Sequence, residues 1–155
     1  MHVEIPGYIT YDLKYLLLDY NGTIALDGHM SSPVKELIRN VANDLEVFVL
    51  TADTHGTAAA ECEDLPVTLK TFPTDTAMYS KLEILNSLGA GNCCTIGNGR
   101  NDLLMCQEAA LSISVIGNEG CYSKLIAHTT ITVKKIEDGL ELLMRPKRLI
   151  ATLRG

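Results

Sequence analysis

Asp19 is the residue of this sequence whose position points most directly to chemistry. It ends the apolar run Leu16-Leu17-Leu18 and opens a turn of sequence Tyr-Asn-Gly-Thr. Desolvating a lone carboxylate costs several kcal/mol unless a cation or hydrogen-bond donors meet it. We therefore expect Asp19 to face a metal ion, a lysine or a group of backbone N–H donors. The alternative is an ordinary turn or helix-capping aspartate.

Two further apolar runs also end in polar residues. The run Glu46–Leu50 is followed by Thr51-Ala52-Asp53, and Cys93–Ile96 is followed by Gly97-Asn98-Gly99-Arg100-Asn101-Asp102. A threonine hydroxyl and the next N–H can hold an oxyanion, and the second turn offers oxygen ligands and backbone donors. Taken singly, Thr51 fits a helix cap and Asn98-Gly99 fits an ordinary turn. Their common position at the ends of apolar runs favours one shared site.

Lys81 is the candidate cation for that site. It lies in the helical pattern Ala77–Leu88, three residues after Met78 and four before Leu85, and thus within the apolar stripe. The alternative is a lysine that extends past the stripe into solvent. Lys70 is a second candidate, but the residues around it show no periodicity that directs it inward.

These residues are positioned by alternating short strands and helices. Strands are predicted at Tyr15–Leu18, Glu46–Leu50, Cys93–Ile96, Leu111–Ile116 and Thr130–Val133. Helices are predicted to start at Ser32-Pro33, with Ser32 as the cap, and to span 77–88, about 102–110, 122–127 and 136–144, with Gly89 ending the second. Strands that are apolar on both faces predict an α/β fold, a doubly wound Rossmann-like parallel sheet with helices on both faces. Such folds bind ligands at the carboxyl ends of their strands. The N-terminal residues His2–Ile5 are predicted to add an edge hairpin.

Length and composition limit the class of protein. The 155 residues, 46% of them hydrophobic, suffice for one domain with one sizeable core, which we place at 1–155. A net charge of −6 argues against nucleic acid or an anionic membrane as a partner. No apolar run has transmembrane length and the first residues do not form a targeting signal, so we expect a cytoplasmic protein. The five cysteines are expected to be reduced and buried rather than zinc ligands.

The polar residues occur in an order and spacing that resemble a known superfamily. Asp19-x-Asn21-Gly22-Thr23, then Thr51, Lys81 and the turn 97–102 resemble the motifs of the haloacid dehalogenase phosphohydrolases, which use an aspartate nucleophile. The turn and its lysine are similar to the phosphorylation domain of P-type ATPases. The segments Leu18–Gly28 and Arg145–Thr152 give a closer resemblance to the small soluble branch related to those pumps. Only one predicted helix lies between Thr23 and the second strand, so the resemblance implies a member without a cap domain.

The resemblance implies a Mg²⁺-dependent phosphatase or a soluble ATPase-like hydrolase. Asp19 would be the nucleophile that forms an aspartyl-phosphate, with Asn21, Thr51 and Lys81 completing the catalytic set. The resemblance implies phosphate binding by Asp19, Gly22, Thr51, Ala52 and Lys81. It implies Mg²⁺ binding by Asp19, Asn21, Asn98 and Asp102, with Asp102 anchoring Lys81 or a metal-bound water.

Two residues depart from the family pattern. The family usually has an aspartate two residues after the nucleophile, which protonates the leaving group and then activates water. Here that residue is Asn21, whose amide cannot transfer the proton. General acid–base catalysis typically contributes about 10²- to 10⁴-fold, so slow hydrolysis of the phosphoenzyme is implied. Asn98 stands where the family usually has a metal-binding aspartate, which weakens the attraction for Mg²⁺ but keeps an oxygen ligand.

Three functions are compatible with the sequence. The favoured one is a phosphohydrolase of a small phosphorylated substrate (a phosphate ester, an acyl phosphate) or ATP. The alternatives are a non-catalytic or phospho-accepting regulatory module that uses the same pocket, and a dehalogenase in which Asp19 attacks carbon without Mg²⁺. Without a cap, selectivity is expected from loops around His55 and Glu119, from a macromolecular substrate, or from a neighbouring copy in a homo-oligomer that shields the site.

Overall fold

Eight strands form two sheets in the computed structural model, which describes residues 1–155. The strands are β1 (His2–Glu4), β2 (Thr10–Asp12), β3 (Tyr15–Asp19), β4 (Glu46–Thr51), β5 (Val67–Thr71), β6 (Cys93–Gly97), β7 (Leu111–Val115) and β8 (Ile131–Val133). The main sheet has six strands in the order β5-β4-β3-β6-β7-β8, and all of its neighbours pair in parallel. The predicted doubly wound α/β fold is thereby confirmed.

Seven α-helices connect these strands. They are α1 (Ser32–Val41), α2 (Ala58–Cys62), α3 (Ala77–Leu88), α4 (Leu103–Glu108), α5 (Ser123–Ile126), α6 (Ile136–Met144) and α7 (Pro146–Leu153). Short 3₁₀ turns at Thr74–Thr76, Ala90–Asn92 and Arg100–Asp102 precede α3, β6 and α4. None of the helices has both the length and the apolar character needed to cross a bilayer.

The sheet is buried on both faces, which explains its nearly continuous apolar strands. Leu16 and Leu18 of β3 belong to a large core that also holds residues of α1 and α6. Leu17, between them, faces the opposite side and packs in a second core with Leu85 of α3 and Met105 of α4. Successive side chains of one strand therefore fill two different cores.

The register of the sheet places the ends of three strands side by side. Asp19 pairs with Leu50, the residue before Thr51, and Leu18 pairs with Ile96, the residue before Gly97. The polar residues that follow β3, β4 and β6 thus meet at one edge of the sheet, as the sequence predicts.

Several elements differ from the sequence prediction. Ser31, rather than Ser32, is the N-cap of α1 and accepts a hydrogen bond from Val34 N. The predicted edge hairpin is instead a separate sheet, because β1 pairs with β2 and with no strand of the main sheet. Four strands and α-helices were not predicted at all, namely β2, α2, β5 and α7. Of these, β5 lies at the edge of the main sheet and none of its residues is fully buried, so it lacks the continuous apolar pattern of the central strands.

Candidate active site

Asp19, Lys81 and Asp102 form an ion cluster beneath the carboxyl edge of the sheet. Lys81 Nζ donates to Asp19 Oδ1 at 2.5 Å and to Asp102 Oδ1 at 2.6 Å. The side chain of Lys81 is 0% exposed, so it does not extend into solvent. Lys70 lies exposed on β5. The structure therefore selects Lys81 as the cation that meets the Asp19 carboxylate.

The turn after β6 fixes the position of Asp102. Its Oδ2 accepts hydrogen bonds from Gly99 N at 2.8 Å and Asn98 N at 3.1 Å, while its Oδ1 accepts from Lys81. Gly97 leaves room for this carboxylate, because a Cβ there would collide with Asp102 Cγ. Both oxygens of Asp102 are engaged by protein donors, which favours its role as the anchor of Lys81.

Burial and charge set the protonation of this cluster. Burial raises the pKa of Asp19 to about 6, and the neighbouring charge of Asp102 adds to the rise, against a lowering by Lys81 and by the Thr23 hydroxyl. For Lys81, burial alone would lower the pKa, but Asp102 and Asp19 raise it above its ordinary value. Lys81 therefore stays charged, and two carboxylates around one ammonium leave an excess of negative charge when both are ionised.

Thr51 is the last residue of β4, and a hydrogen bond fixes the position of its hydroxyl group. Its Oγ1 accepts a hydrogen bond from Asp53 N at 2.8 Å, which leaves the hydroxyl hydrogen free to donate. The start of α2 is capped by Asp53 instead, since Asp53 Oδ1 accepts from Thr57 N at 3.1 Å and Ala58 N at 3.0 Å. Thr51 thus does not cap a helix. Its hydroxyl and the N–H of Ala52 can both donate hydrogen bonds to an oxyanion.

The turn after β3 adds oxygen atoms around Asp19. Thr23 Oγ1 lies 3.0 Å from Asp19 Oδ2 and 3.2 Å from Asn98 Oδ1, and its one hydrogen serves one of them at a time. Asn98 Nδ2 donates to Gly120 O at 3.1 Å, so the amide oxygen of Asn98 faces the Thr23 hydroxyl. Asn21 Oδ1 is buried and has no hydrogen-bond partner, the single such side-chain atom in the protein.

These atoms fit a hard divalent cation. A carboxylate and two amide oxygens are ligands that Mg²⁺ prefers, and an orphaned buried oxygen gains a partner when a cation binds. No group of three His, Cys, Asp or Glu side chains is arranged to hold a metal ion, so such a site would depend on amide, backbone and water oxygens.

A cavity of about 530 Å³ opens above this cluster. It is lined by five of the predicted site residues, Asp19, Asn21, Thr51, Ala52 and Asn98. Lys81 and Asp102 lie behind its wall, and Gly22 lines a neighbouring cavity of about 350 Å³ instead. Of the two residues expected to mark selectivity loops, Glu119 lines the larger cavity and His55 does not.

The rim of the cavity contains residues that the sequence reasoning did not single out. Asp75, Met78, Tyr79 and Arg100 line it, and Tyr79 is 65% exposed. Met78 is about one turn before Lys81 on α3, so its position follows once Lys81 is placed in the site, whereas Tyr79 is only two residues before Lys81. Arg100 lies in the turn 97–102 and brings a second cation to the cavity.

The sequence has two relatives in Methanocaldococcus jannaschii, both uncharacterized proteins. MJ0073 is 47% identical over 79 residues, which cover 48% of this chain and 85% of that protein. MJ0072 is 46% identical over 39 residues, which cover 25% of this chain and 89% of that protein. No protein-family model matches the sequence.

Solved structures with the same fold are phosphatases and hydrolases. The 3-deoxy-D-manno-octulosonate 8-phosphate phosphatase of Moraxella catarrhalis, in complex with magnesium, phosphate and the sugar KDO, has a TM-score of 0.73 at 16% identity and covers 92% of this chain and 94% of its own. The cobalt-bound deoxy-D-mannose-octulosonate 8-phosphate phosphatase of Haemophilus influenzae has a TM-score of 0.73 at 12% identity, covering 93% and 94%. A putative haloacid dehalogenase superfamily (subfamily III A) hydrolase of Legionella pneumophila has a TM-score of 0.68 at 16% identity, covering 90% and 86%. The chain therefore belongs to one family with MJ0073, and its fold is that of the haloacid dehalogenase hydrolases without a cap domain.

Proposed function

We propose that this protein is a Mg²⁺-dependent phosphohydrolase that works through an aspartyl-phosphate on Asp19. The observation that carries the proposal is the fully buried Lys81, which links Asp19 to Asp102 beneath an open cavity. A buried lysine between two carboxylates is costly to maintain, and perturbed groups of this kind concentrate at functional sites. The solved structures that share this fold, which are phosphatases and a putative hydrolase, support the same function.

The proposed reaction has two steps. A carboxylate oxygen of Asp19 attacks phosphorus, a new O–P bond forms, and the bond to the leaving oxygen breaks. Water then attacks the same phosphorus, the bond to Asp19 breaks, and inorganic phosphate leaves with Asp19 regenerated. Lys81, the Thr51 hydroxyl and the Ala52 N–H are placed to stabilise the phosphoryl oxygens as their charge redistributes.

Asp19, Asn21 and Asn98 are the residues that would hold Mg²⁺, with Asp102 contributing its charge through Lys81. The bound ion would neutralise the phosphoryl oxygens and so reduce their repulsion from Asp19. Gly22 keeps the turn after β3 in its left-handed conformation, with φ of +78°, which places the Asn21 backbone beside the nucleophile.

The substrate class follows from the open cavity. Without a cap, the site is accessible to small phosphate esters, acyl phosphates and ATP. Because Asn21 cannot protonate a leaving group, we expect substrates whose leaving group departs without a proton to react fastest. We place the protein in the cytoplasm, where such substrates and Mg²⁺ occur together, and a homo-oligomer is a further way to shield the site.

The test is turnover of para-nitrophenyl phosphate with and without Mg²⁺, combined with intact mass after acid quench. We expect slow release of phosphate, its loss with a chelator, and added mass of about 80 Da in the quenched protein. Asp19→Asn is the matched control, since it keeps the shape of the side chain and removes the nucleophile. Full activity after removal of all metal would contradict the proposal.

A second candidate function rests on Asn21 itself. An amide at this position removes acid–base catalysis from both steps, which suits a module that accepts or binds phosphate without turning it over. A stable phosphorylated protein with no release of phosphate would favour this regulatory role.

A further inference from the structure

The loop between β7 and α5 brings one carboxylate to the cavity. This loop, Gly117–Gly120, contains Glu119, which lines the same cavity as Asp19, Asn21 and Asn98. A Cβ on Gly22 would come within 2.6 Å of Glu119 Oε2 and would also collide with Asn98 Nδ2. The Glu119 carboxylate and the Asn98 amide therefore flank the same point, next to the turn that follows the nucleophile.

The loop 117–120 is held against the site by its backbone. Gly117 N donates to Lys134 O at 2.9 Å, and Tyr122 N donates to Asn98 O at 2.8 Å. Gly117 also lies directly on the turn after β3, because a Cβ there would be 3.3 Å from Gly22 O. Both ends of the loop are thus tied, which holds the backbone of Glu119 beside the site while its side chain is exposed.

The orientation of Asn98 explains why position 98 carries an amide in this chain. Its Nδ2 donates to Gly120 O at 3.1 Å and its Oδ1 faces Thr23 Oγ1 at 3.2 Å. An aspartate at position 98 would put a carboxylate oxygen where Asn98 Nδ2 now lies, facing the Gly120 carbonyl oxygen and next to the Glu119 carboxylate. Neither of these groups can donate a hydrogen bond to it. The amide at 98 and the carboxylate at 119 are therefore complementary.

We propose that Glu119 supplies the metal site with the carboxylate that Asn98 does not, binding Mg²⁺ directly or through one of its waters. This inference rests on the proposed function for the presence of Mg²⁺. A separate observation also calls for a cation or donor here, namely the buried oxygen of Asn21, which has no partner in the protein. With Glu119 included, the site has carboxylates from two loops, Asp19 after β3 and Glu119 after β7.

The experiment measures the affinity for Mn²⁺, a probe for Mg²⁺ sites, from the electron paramagnetic resonance signal of the free ion. We expect Glu119→Gln to weaken Mn²⁺ binding about 10-fold, as loss of a carboxylate near a metal site typically does. Asp75→Asn is the matched control, because Asp75 lines the same cavity but lies on the 3₁₀ turn before α3. Its affinity should equal that of the unmodified protein.

The double variant Asn98→Asp/Glu119→Gln tests the complementarity of the pair. It moves the carboxylate back to position 98 and puts the amide at 119, so we expect it to recover most of the lost affinity. An unchanged affinity in Glu119→Gln, or equal losses in Glu119→Gln and Asp75→Asn, would overturn the assignment.

The binding measurement needs no turnover, which separates the two proposals. Weakened Mn²⁺ binding in Glu119→Gln supports the role of Glu119 even if no phosphate ester is hydrolysed. Chelator-sensitive hydrolysis with normal Mn²⁺ affinity in Glu119→Gln keeps the proposed function and rejects the role of Glu119. Absence of Mn²⁺ binding in the unmodified protein rejects the role of Glu119 as well.

Discussion

At the scale of single residues, we expect Asn21 to limit the rate of the second half of the proposed reaction. An aspartate has nearly the same volume, so Asn21→Asp should fold normally and restore a proton donor and acceptor next to Asp19. We expect turnover of alkyl phosphates to rise by about 10²-fold, and that of nitrophenyl phosphate to rise less, because its leaving group needs no proton. The added negative charge opposes the incoming phosphate and limits the gain. Steady-state rates with both substrates provide the check.

The matched control for this change is Asn86→Asp, on the exposed side of α3. It should leave both rates unchanged. Equal rates in Asn21→Asp and the unmodified protein, with no phosphorylated protein trapped in either, would favour the binding module.

Lys81 combines a structural and a chemical role. Lys81→Ala leaves Asp19 and Asp102 facing each other without a cation, and breaking a buried ion pair in this way costs about 3–5 kcal/mol. We expect loss of turnover together with a drop in the free energy of unfolding, measured by urea denaturation. Lys70→Ala, which removes an exposed lysine from β5, should change neither quantity. Inactivity of the Lys70 variant would show that the cation of the site has been misassigned.

The protonation of Asp19 gives a pH dependence with a definite sign. Its pKa of about 6 in the folded protein lies above the ordinary value of 3.8, so the folded state holds the proton more tightly than the unfolded state. Ionisation of Asp19 in the folded protein therefore lowers the free energy of unfolding above about pH 6. This loss disappears as the pH falls towards 4, because the folded state then holds the proton. Asp19→Asn has no such charge, so in chelator it should be stabilised relative to the unmodified protein at neutral pH.

Urea unfolding of both proteins in chelator, at about pH 7 and about pH 5, tests this expectation. The stability difference between them should shrink at the lower pH. A difference that is independent of pH would mean that Asp19 keeps an ordinary carboxyl pKa.

Among the elements, the turn between β6 and α4 has little room for an added side chain at Gly97. Gly97→Ala would place a Cβ against the Asp102 carboxylate, which would have to withdraw from Lys81. We expect turnover to fall sharply while the sheet remains intact by circular dichroism. Gly91→Ala is the matched control, since a Cβ there meets nothing within 4 Å. Normal activity in Gly97→Ala would show that the position of Asp102 is not critical.

The elements that form the site are those that the sequence predicts best. β3, β4 and β6 are central strands with apolar residues on both faces, and α3 has a clear stripe that ends at Gly89, so local patterns suffice. The five-residue α2 and the half-polar edge strand β5 carry no such pattern. Their existence depends on contacts with distant residues.

The same limit applies to single side chains. The stripe on α3 correctly predicts that Lys81 points inward, because that property is local. The roles of Thr51 and Asp53 in capping cannot be separated from sequence, since each fits a cap and only the fold shows that Asp53 Oδ1 meets the start of α2. The pairing of Asn98 with the loop 117–120 is also non-local and has no signal in the residues around position 98.

Metal binding should couple to the stability of the entire chain. Asp19 and Asp102 together carry more charge than Lys81 neutralises, so we expect a divalent cation to bind the folded state in preference to the unfolded one. At a Mg²⁺ concentration about 100 times the dissociation constant, we expect the free energy of unfolding to rise by about 2.7 kcal/mol. Thermal melts with Mg²⁺ and with chelator provide the measurement. Asp19→Asn should lose most of the shift, and an equal shift in that variant would place the ion elsewhere.

The strand order also has a consequence for synthesis on the ribosome. β3 is synthesised before β6, one of its two neighbours in the sheet. The first residue of β3, Tyr15, pairs with the first residue of β6, Cys93. At typical translation speeds the nascent chain waits about 4 to 16 s between the two strands. During that time one edge of the most apolar strand has no partner and can bind other chains. We therefore expect β3, the strand that carries the nucleophile, to be the part of the sheet most exposed to wrong pairing during synthesis.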